Sequence, residues 1–230
     1  MGQKRQAIDL WVVIPAFNEG PVIGEVVMAV RALYHNVIVV DDCSGDDTGV
    51  KALEAGATVL RHPVNLGQGA ALQTGIRYAL GHGAGYIVTF DADGQHRPED
   101  ISVLLDMQVK TGADVVLGSR FLGHTENIPR LRRMLLQLAI IFTRVTSGVK
   151  LTDTHNGLRL LTRRAAERIR IRQDRMAHAS EIIDQIGALG LTVIEAPVTI
   201  VYTEYSLRKG QRLGNAFNIL IELFVARLNK

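Results

Sequence analysis

The 230-residue sequence contains one cysteine, Cys43. A single thiol excludes an internal disulfide framework and a cysteine-built metal site, and suits a reducing, cytoplasmic setting. No stretch reaches the ~20 apolar residues a bilayer-spanning helix needs. The nearest candidate, 134–149, is broken by Gln137, Thr143 and Arg144. The first nine residues are polar and have no signal-peptide core. Neither of the first two strand-end loops carries G-x-G-x-x-G, and G-x-x-x-x-G-K-[ST] is absent, which argues against a dinucleotide fold and a P-loop nucleotidase. Aromatics amount to 5%.

What is present is ordinary for a soluble globular chain: 47% hydrophobic and 21% charged residues, with no repeat, low-complexity tract or linker. The net charge of +3 is unevenly spread. From Arg120 to Arg175, twelve arginines and one lysine face four acids, an excess of nine positive charges. Such a block suits an anionic partner (phosphate, nucleic acid or a membrane surface) or a set of solvated helix faces. Few aromatics stand beside these arginines, so no stacking platform for nucleic acid is expected.

Continuous apolar runs at 10–14 and 37–40, with 58–61, 86–90 and 114–117, read as buried strands. Helical spacing follows from Pro21, then to about Ala55, over 70–80 and over 101–109. Strand–helix alternation with short loops predicts an α/β fold with a mainly parallel sheet and helices on both faces. Further on, helices are expected over 131–145, 163–171, 180–189 and 213–228. Strands are expected over 158–161, 192–195 and 198–202. The right-handed crossover rule places the polar loops after the first strands along one sheet edge, where they form a crevice.

The loop Asp91-Ala92-Asp93-Gly94-Gln95-His96 ends the strand at 86–90. Two carboxylates one residue apart repel unless a positive charge stands between them. A hard divalent cation sharing a substrate's phosphates answers that need; a polar turn in water is the plainer reading. Asp42, after the second strand, can accept from a base edge or ribose, while Asp47 or Thr48 caps the next helix. Asn65-Leu66-Gly67-Gln68-Gly69 can bring N–H groups near a phosphate. Arg120, in the loop 118–120, can pair with a diphosphate. Cys43 reads as a small filler.

Taken together, P-A-F-N-E, V-D-D-x-S-x-D-x-T, N-L-G-x-G-A-A, D-A-D-G-Q-H and G-S-R-F resemble the family-2 glycosyltransferases. More closely they are similar to the dolichyl-phosphate mannose synthase and polyprenyl-phosphate glycosyltransferase branch. The match runs from about 10 to 123 and continues more loosely through 152–159 and 195–198. The resemblance implies a GT-A fold and an inverting hexosyltransferase using a UDP- or GDP-linked sugar, with Mg2+ or Mn2+. It implies one domain over 1–230, with a nucleotide-sugar half at about 10–123 and an acceptor half at about 124–230. Pro15, Ala16, Phe17, Glu19 and Asp42 would hold the nucleoside, with Gln68 and Ala92 nearby. Asp91 and Asp93 would hold the metal with Gln95 beside them, Arg120 would meet phosphate, and Asp153 and Arg159 would lie by the acceptor. Where relatives have a lysine, this chain has Gln68. The late R-x-x-G-x-S-K element is only approximated by Arg208, Lys209 and Arg212.

An anionic polyprenyl phosphate acceptor needs no strong base, whereas a glycan hydroxyl, as in cell-envelope polysaccharide, needs Asp153 or Glu181 to take its proton. The basic amphipathic helices at 131–145 and 213–228 can lie on an anionic membrane face, meet a small membrane protein or form a homo-oligomer. Two rivals are less well matched: a sugar nucleotidyltransferase lacks its cationic Gly-rich loop, and a nucleic-acid-binding protein lacks its aromatics.

Overall fold

The structure, a computed structural model, describes residues 9–126, 151–153, 156–173 and 177–206. The helices expected at 131–145 and 213–228, with Arg208, Lys209 and Arg212, lie outside the described residues. The strands are β1 (Leu10–Ala16), β2 (Asn36–Asp41), β3 (Thr58–Arg61), β4 (Tyr86–Thr89), β5 (Val115–Glu126), β6 (Arg159–Thr162) and β7 (Val193–Val201). The helices are α1 (Ile23–Arg31), α2 (Thr48–Glu54), α3 (Gln68–Gly81), α4 (Asp100–Thr111), α5 (Arg163–Arg168) and α6 (His178–Ala188).

These strands form one seven-stranded sheet in the order β3-β2-β1-β4-β6-β5-β7. β6 runs antiparallel to its neighbours β4 and β5, and the other pairings are parallel. The continuous apolar runs have a simple cause. Successive side chains point to opposite faces, and both faces are covered. Val12 and Ile14 pack with Val27 and Val30 of α1 and Ile101 and Leu104 of α4. Val13 turns the other way, toward Leu72 and Ile76 of α3 and Ile182 and Ile183 of α6. Each such burial contributes roughly 1.5–3 kcal/mol. The carboxyl ends of β1, β2, β3, β4 and β5 therefore share one edge.

Three expectations need correcting. Gly118-Ser119-Arg120 is not a loop, because β5 continues through it to Glu126. Glycine and serine there mark close approach rather than a turn. A Cβ on Gly118 would stand 3.0 Å from the Leu158 carbonyl, and one on Gly123 would stand 2.2 Å from that of Val198. The strand also changes register against β7: Ser119 pairs with Pro197, but His124 with Thr199. Second, 192–195 and 198–202 are one strand, β7. Pro197 is tolerated because β7 is the edge strand and needs no donor on its outer side. Third, the helix expected over 163–171 stops at Arg168. Residues 170–173 give their N–H groups to side chains instead of a helix: Gln185, Gln73 and Glu181.

Gly75 lets α3 lie close on β1. A Cβ there would stand 2.3 Å from Cγ1 of the fully buried Val13. Gly→Ala in a helix interior ordinarily stabilises by about 1 kcal/mol. Here Gly75→Ala should instead destabilise by about 1–3 kcal/mol, since neither helix nor sheet can give way. A urea midpoint that falls with an unchanged slope would agree; an unchanged or higher midpoint would refute the packing account.

Candidate active site

Two loops at the sheet edge are laced together. Asn18 donates its N–H to Ser44 Oγ (3.0 Å) and accepts from Gly45 N (2.8 Å). Glu19 N donates to Thr48 Oγ1 (2.8 Å), and Gly20 N to Asp46 (3.0 Å). Asn18 and Cys43 both have positive φ where these loops meet. Pro15 and Ala16 are buried at the end of β1, Phe17 is 43% exposed, and Glu19 is buried. The Glu19 carboxylate accepts from the Tyr205 hydroxyl at 2.8 Å. The chain beyond β7 thus reaches back to the first loop. Burial, that hydrogen bond and the charges of Glu19, Asp46 and Asp93 all raise the Tyr205 phenol above its ordinary pKa.

The helix cap differs from expectation. Neither Asp47 nor the Thr48 hydroxyl caps α2; Asp46 accepts the Thr48 N–H at 3.0 Å. Asp42 is buried with both oxygens engaged. Oδ1 meets His62 Nδ1 (2.7 Å) and accepts from Leu66 N (2.9 Å), and Oδ2 accepts from Gly67 N (2.6 Å). His62 in turn meets Thr74 Oγ1 at 2.9 Å. Asp42 therefore shapes the 65–67 loop, which leads into α3. Cys43 Sγ lies 3.5 Å from the Pro63 carbonyl in the same corner.

Asp91 and Asp93 sit at the mouth of β4. Gln68 at the start of α3 donates to Asp91 Oδ1 (3.3 Å), and His96 Nε2 lies 3.1 Å from Oδ2. Gly157 packs directly against this carboxylate: a Cβ on it would stand 2.1 Å from Oδ2. His96 is buried on the edge of Phe90, and its Nδ1 has no hydrogen-bond partner among the described residues. Burial opposes ionisation of Asp91. The His96 hydrogen bond and the charges of His96, Arg159 and His178 outweigh it, holding its pKa below the usual range. Asp93 goes the other way, pushed up to about 6 by burial first and then by Asp91. Gln95 closes over it, donating its N–H (3.1 Å) and its amide (2.8 Å). Ala92 between them is buried. The loop is pinned by Val201 N to the Gln95 carbonyl at 2.9 Å.

Among the described residues, no group of three or more His, Cys, Asp and Glu side chains stands ready for a metal. The pair alone is nonetheless a fit for a hard cation. Both are oxygen donors, and after burial the charge of Asp91 is the next cause of the raised pKa of Asp93, a repulsion that a cation would relieve. Two carboxylates leave further positions for ligand oxygens.

Arg120 and Asp153 bind each other. Arg120 Nε donates to Asp153 Oδ2 (2.6 Å), its backbone N–H to the same oxygen (3.1 Å), and Nη1 to the Tyr202 hydroxyl (2.9 Å). Both side chains are buried. Arg159 is buried nearby and donates to the Asn156 carbonyl at 2.9 Å. Burial pulls its pKa below the usual guanidinium range, although Asp91 and Asp153 pull it up. An arginine stays charged there. Glu195 steadies the segment, accepting from Thr152 N (2.8 Å), Thr152 Oγ1 (2.9 Å) and Asp153 N (2.9 Å). Glu181 accepts from Arg172 N (3.0 Å) and Gln173 N (2.9 Å), the position of an anchor for that stretch. Sequence reading missed the roles of His62, Glu195, Tyr202 and Tyr205. Their partners lie 12 or more residues away, so no local pattern announces them.

Residues 11–170 match the model of glycosyl transferase family 2. The chain belongs to that family. It is 37% identical over 225 residues to the uncharacterized protein MJ1222 of Methanocaldococcus jannaschii, covering 96% of this chain and 93% of that one. It is 32% identical to UDP-N-acetylglucosamine–dolichyl-phosphate N-acetylglucosaminyltransferase of Methanococcus voltae (96% and 97% covered). It is 33% identical to polyprenol monophosphomannose synthase of Mycolicibacterium smegmatis (86% and 79%). These relatives bear out the polyprenyl-phosphate branch expected above. Among solved structures, glucosyl-3-phosphoglycerate synthase of Mycobacterium tuberculosis with Mn2+, UDP-glucose and phosphoglyceric acid aligns with a TM-score of 0.73 at 21% identity. The alignment covers 95% of this chain and 79% of that one. At that identity the likeness is one of fold, and the fold is GT-A.

Asp93 yields a pH prediction. Its folded pKa lies above the unfolded value of 3.8, so the metal-free fold is favoured below that value and loses this stability as pH rises through about 6. Without divalent metal, Asp93→Asn should raise the thermal midpoint above wild type at pH 8 and match it at pH 4. Equal midpoints at both pH values would contradict the raised pKa.

Proposed function

We propose that this glycosyltransferase moves a hexose, with inversion, from a UDP- or GDP-linked sugar to a polyprenyl phosphate, assisted by Mg2+ or Mn2+. One observation carries the choice of acceptor. The two carboxylates offered as bases for a hydroxyl acceptor are both committed elsewhere. Asp153 is ion-paired inside the protein with Arg120, and Glu181 holds backbone amides at 172 and 173. A phosphate oxygen is already anionic near neutral pH and needs neither. The names of the relatives from Methanococcus voltae and Mycolicibacterium smegmatis support the same acceptor class.

In this reading the lacing of the first two loops presents Phe17 and Glu19 to the nucleoside. Asp42 contributes through the 65–67 loop that it shapes. Asp91 and Asp93 would hold the cation, with Gln95 and Gln68 displaced or retained beside them; when bound, it supplies Lewis-acid stabilisation of the departing diphosphate. Arg120 and Arg159 are held in place, Arg120 by Asp153, so their charges are fixed in the site before any substrate arrives. Arg208, Lys209 or Arg212 would add positive charge over the diphosphate. The acceptor oxygen attacks the anomeric carbon from the face opposite the leaving group. A lipid acceptor places the enzyme at the cytoplasmic face of a membrane. Among the described residues, no helix is long and apolar enough to cross one.

The test is turnover of a panel of UDP- and GDP-sugars with polyprenyl phosphate, with a long-chain alcohol as comparator. Metal-dependent transfer to the phosphate is expected, and Asp93→Ala should lower kcat/KM by about 10²–10³-fold. Transfer only to an alcohol would remove the phosphate-acceptor reading. Full activity of Asp93→Ala would remove the metal assignment.

A further inference from the structure

A groove of about 630 Å³ runs along the flank of α3, lined by Gln73, Arg77, Leu80, Arg170, Ile171 and Arg172. Among the described residues, half of its lining is arginine and none is acidic. Gln73, Arg77 and Leu80 follow at helical spacing on one face of α3, spanning about 10 Å. The opposite wall is the extended stretch after α5. There Ile169 and Ile171 are buried while Arg170 and Arg172 are exposed, so the two arginines share the outer side.

This wall is built with some care. Its four consecutive amides, 170 to 173, are received by Gln185, Gln73 and Glu181, at 2.8 Å, 2.7 Å and 2.9–3.0 Å. The guanidinium groups are not used in the same way. Arg77 and Arg172 form no side-chain ion pair or hydrogen bond among the described residues. Among the described residues, the Arg170 side chain donates only to the Ala166 and Ile169 carbonyls, at 3.5 and 3.2 Å. A second observation concerns Gln73. Its Oε1 accepts from Ile171 N, which fixes the amide's orientation, and its Nε2 is then buried with no acceptor among the described residues. Three cations and an orphaned donor surround a groove whose floor is apolar, from Leu80 and Ile171. That combination calls for an anion attached to an apolar body.

We propose that this groove is a second anion site, apart from the nucleotide crevice, which takes the phosphate of an anionic lipid headgroup. The guanidiniums would meet phosphate oxygens, and Leu80 and Ile171 would meet the apolar part of the lipid. The groove adjoins the crevice. A Cβ on Gly69, at the start of α3, would stand 2.0 Å from the Gln173 carbonyl and 3.1 Å from His178 Cβ, and the charge of His178 is felt at Asp91. Lipid held here would orient the crevice relative to a bilayer. The site rests on its own residues and needs neither donor nor metal, so its failure and the failure of the transfer reading are separable.

Cosedimentation of the full chain with vesicles tests it. Wild type should prefer phosphatidylglycerol-containing vesicles to pure phosphatidylcholine, and added salt should weaken the preference. Arg77→Ala with Arg172→Ala should weaken binding to the anionic vesicles by about thirtyfold. Arg77→Lys with Arg172→Lys should retain most of it. Both pairs are exposed, so circular dichroism and the thermal midpoint should match wild type. Wild-type vesicle binding by the alanine pair would overturn the proposal. Binding of inorganic phosphate by the wild type with no binding to anionic vesicles would overturn the lipid assignment.

Discussion

Two carboxylates, Asp91 and Asp93, are held one residue apart at the mouth of a buried strand, and the surrounding structure is arranged around their mutual repulsion. At close range two like charges in a partly dry site cost several kcal/mol, more than most single contacts return. The fold splits the problem between them. Asp91 is kept ionised by His96, with Arg159 and His178 nearby. Asp93 is left to rise to about 6, closed over by Gln95. The asymmetry comes from the packing: Gly157 gives Asp91 room against the β6 side, and the tie from Val201 N to the Gln95 carbonyl sets where the loop turns.

Elsewhere buried or half-buried acids serve as scaffold. Asp42 gathers His62, Leu66 and Gly67; Glu195 gathers Thr152 and Asp153; Glu181 gathers Arg172 and Gln173. Each lets a loop that has no ladder or helix satisfy its N–H groups, which a buried backbone must do. The Arg120–Asp153 pair works similarly. Two buried charges are costly to desolvate, but joined to each other and to Tyr202 they hold the end of the sheet to the segment at 151–153.

Much of the core was readable in the residues. Doubly covered strands must be apolar throughout, so β1, β2 and β4 could be placed within a few residues. The D-A-D loop stood out because no purely structural role requires two acids there. The reading failed where a residue's local meaning was overruled from a distance. Gly118 and Ser119 look like a turn until β7 comes to lie beside them. Arg170 and Ile171 continue a helical pattern, but Gln73, 98 residues away, captures the Ile171 amide. Asp153 looks available as a base until Arg120, 33 residues earlier, closes on it. Such pairings follow from the sheet order, which no local pattern encodes.

In the reading proposed above, Asp91 and Asp93 would form half of a cation site and a nucleoside diphosphate would supply the rest. Titration of Mn2+, followed by the loss of its free paramagnetic resonance signal, measures this directly. Weak binding to the protein alone is expected, with at least tenfold tighter binding (about 1.4 kcal/mol) once a nucleoside diphosphate is present, and loss of that gain in Asp91→Asn. Tight Mn2+ binding that ignores the nucleotide, or that survives in Asp91→Asn, would contradict it.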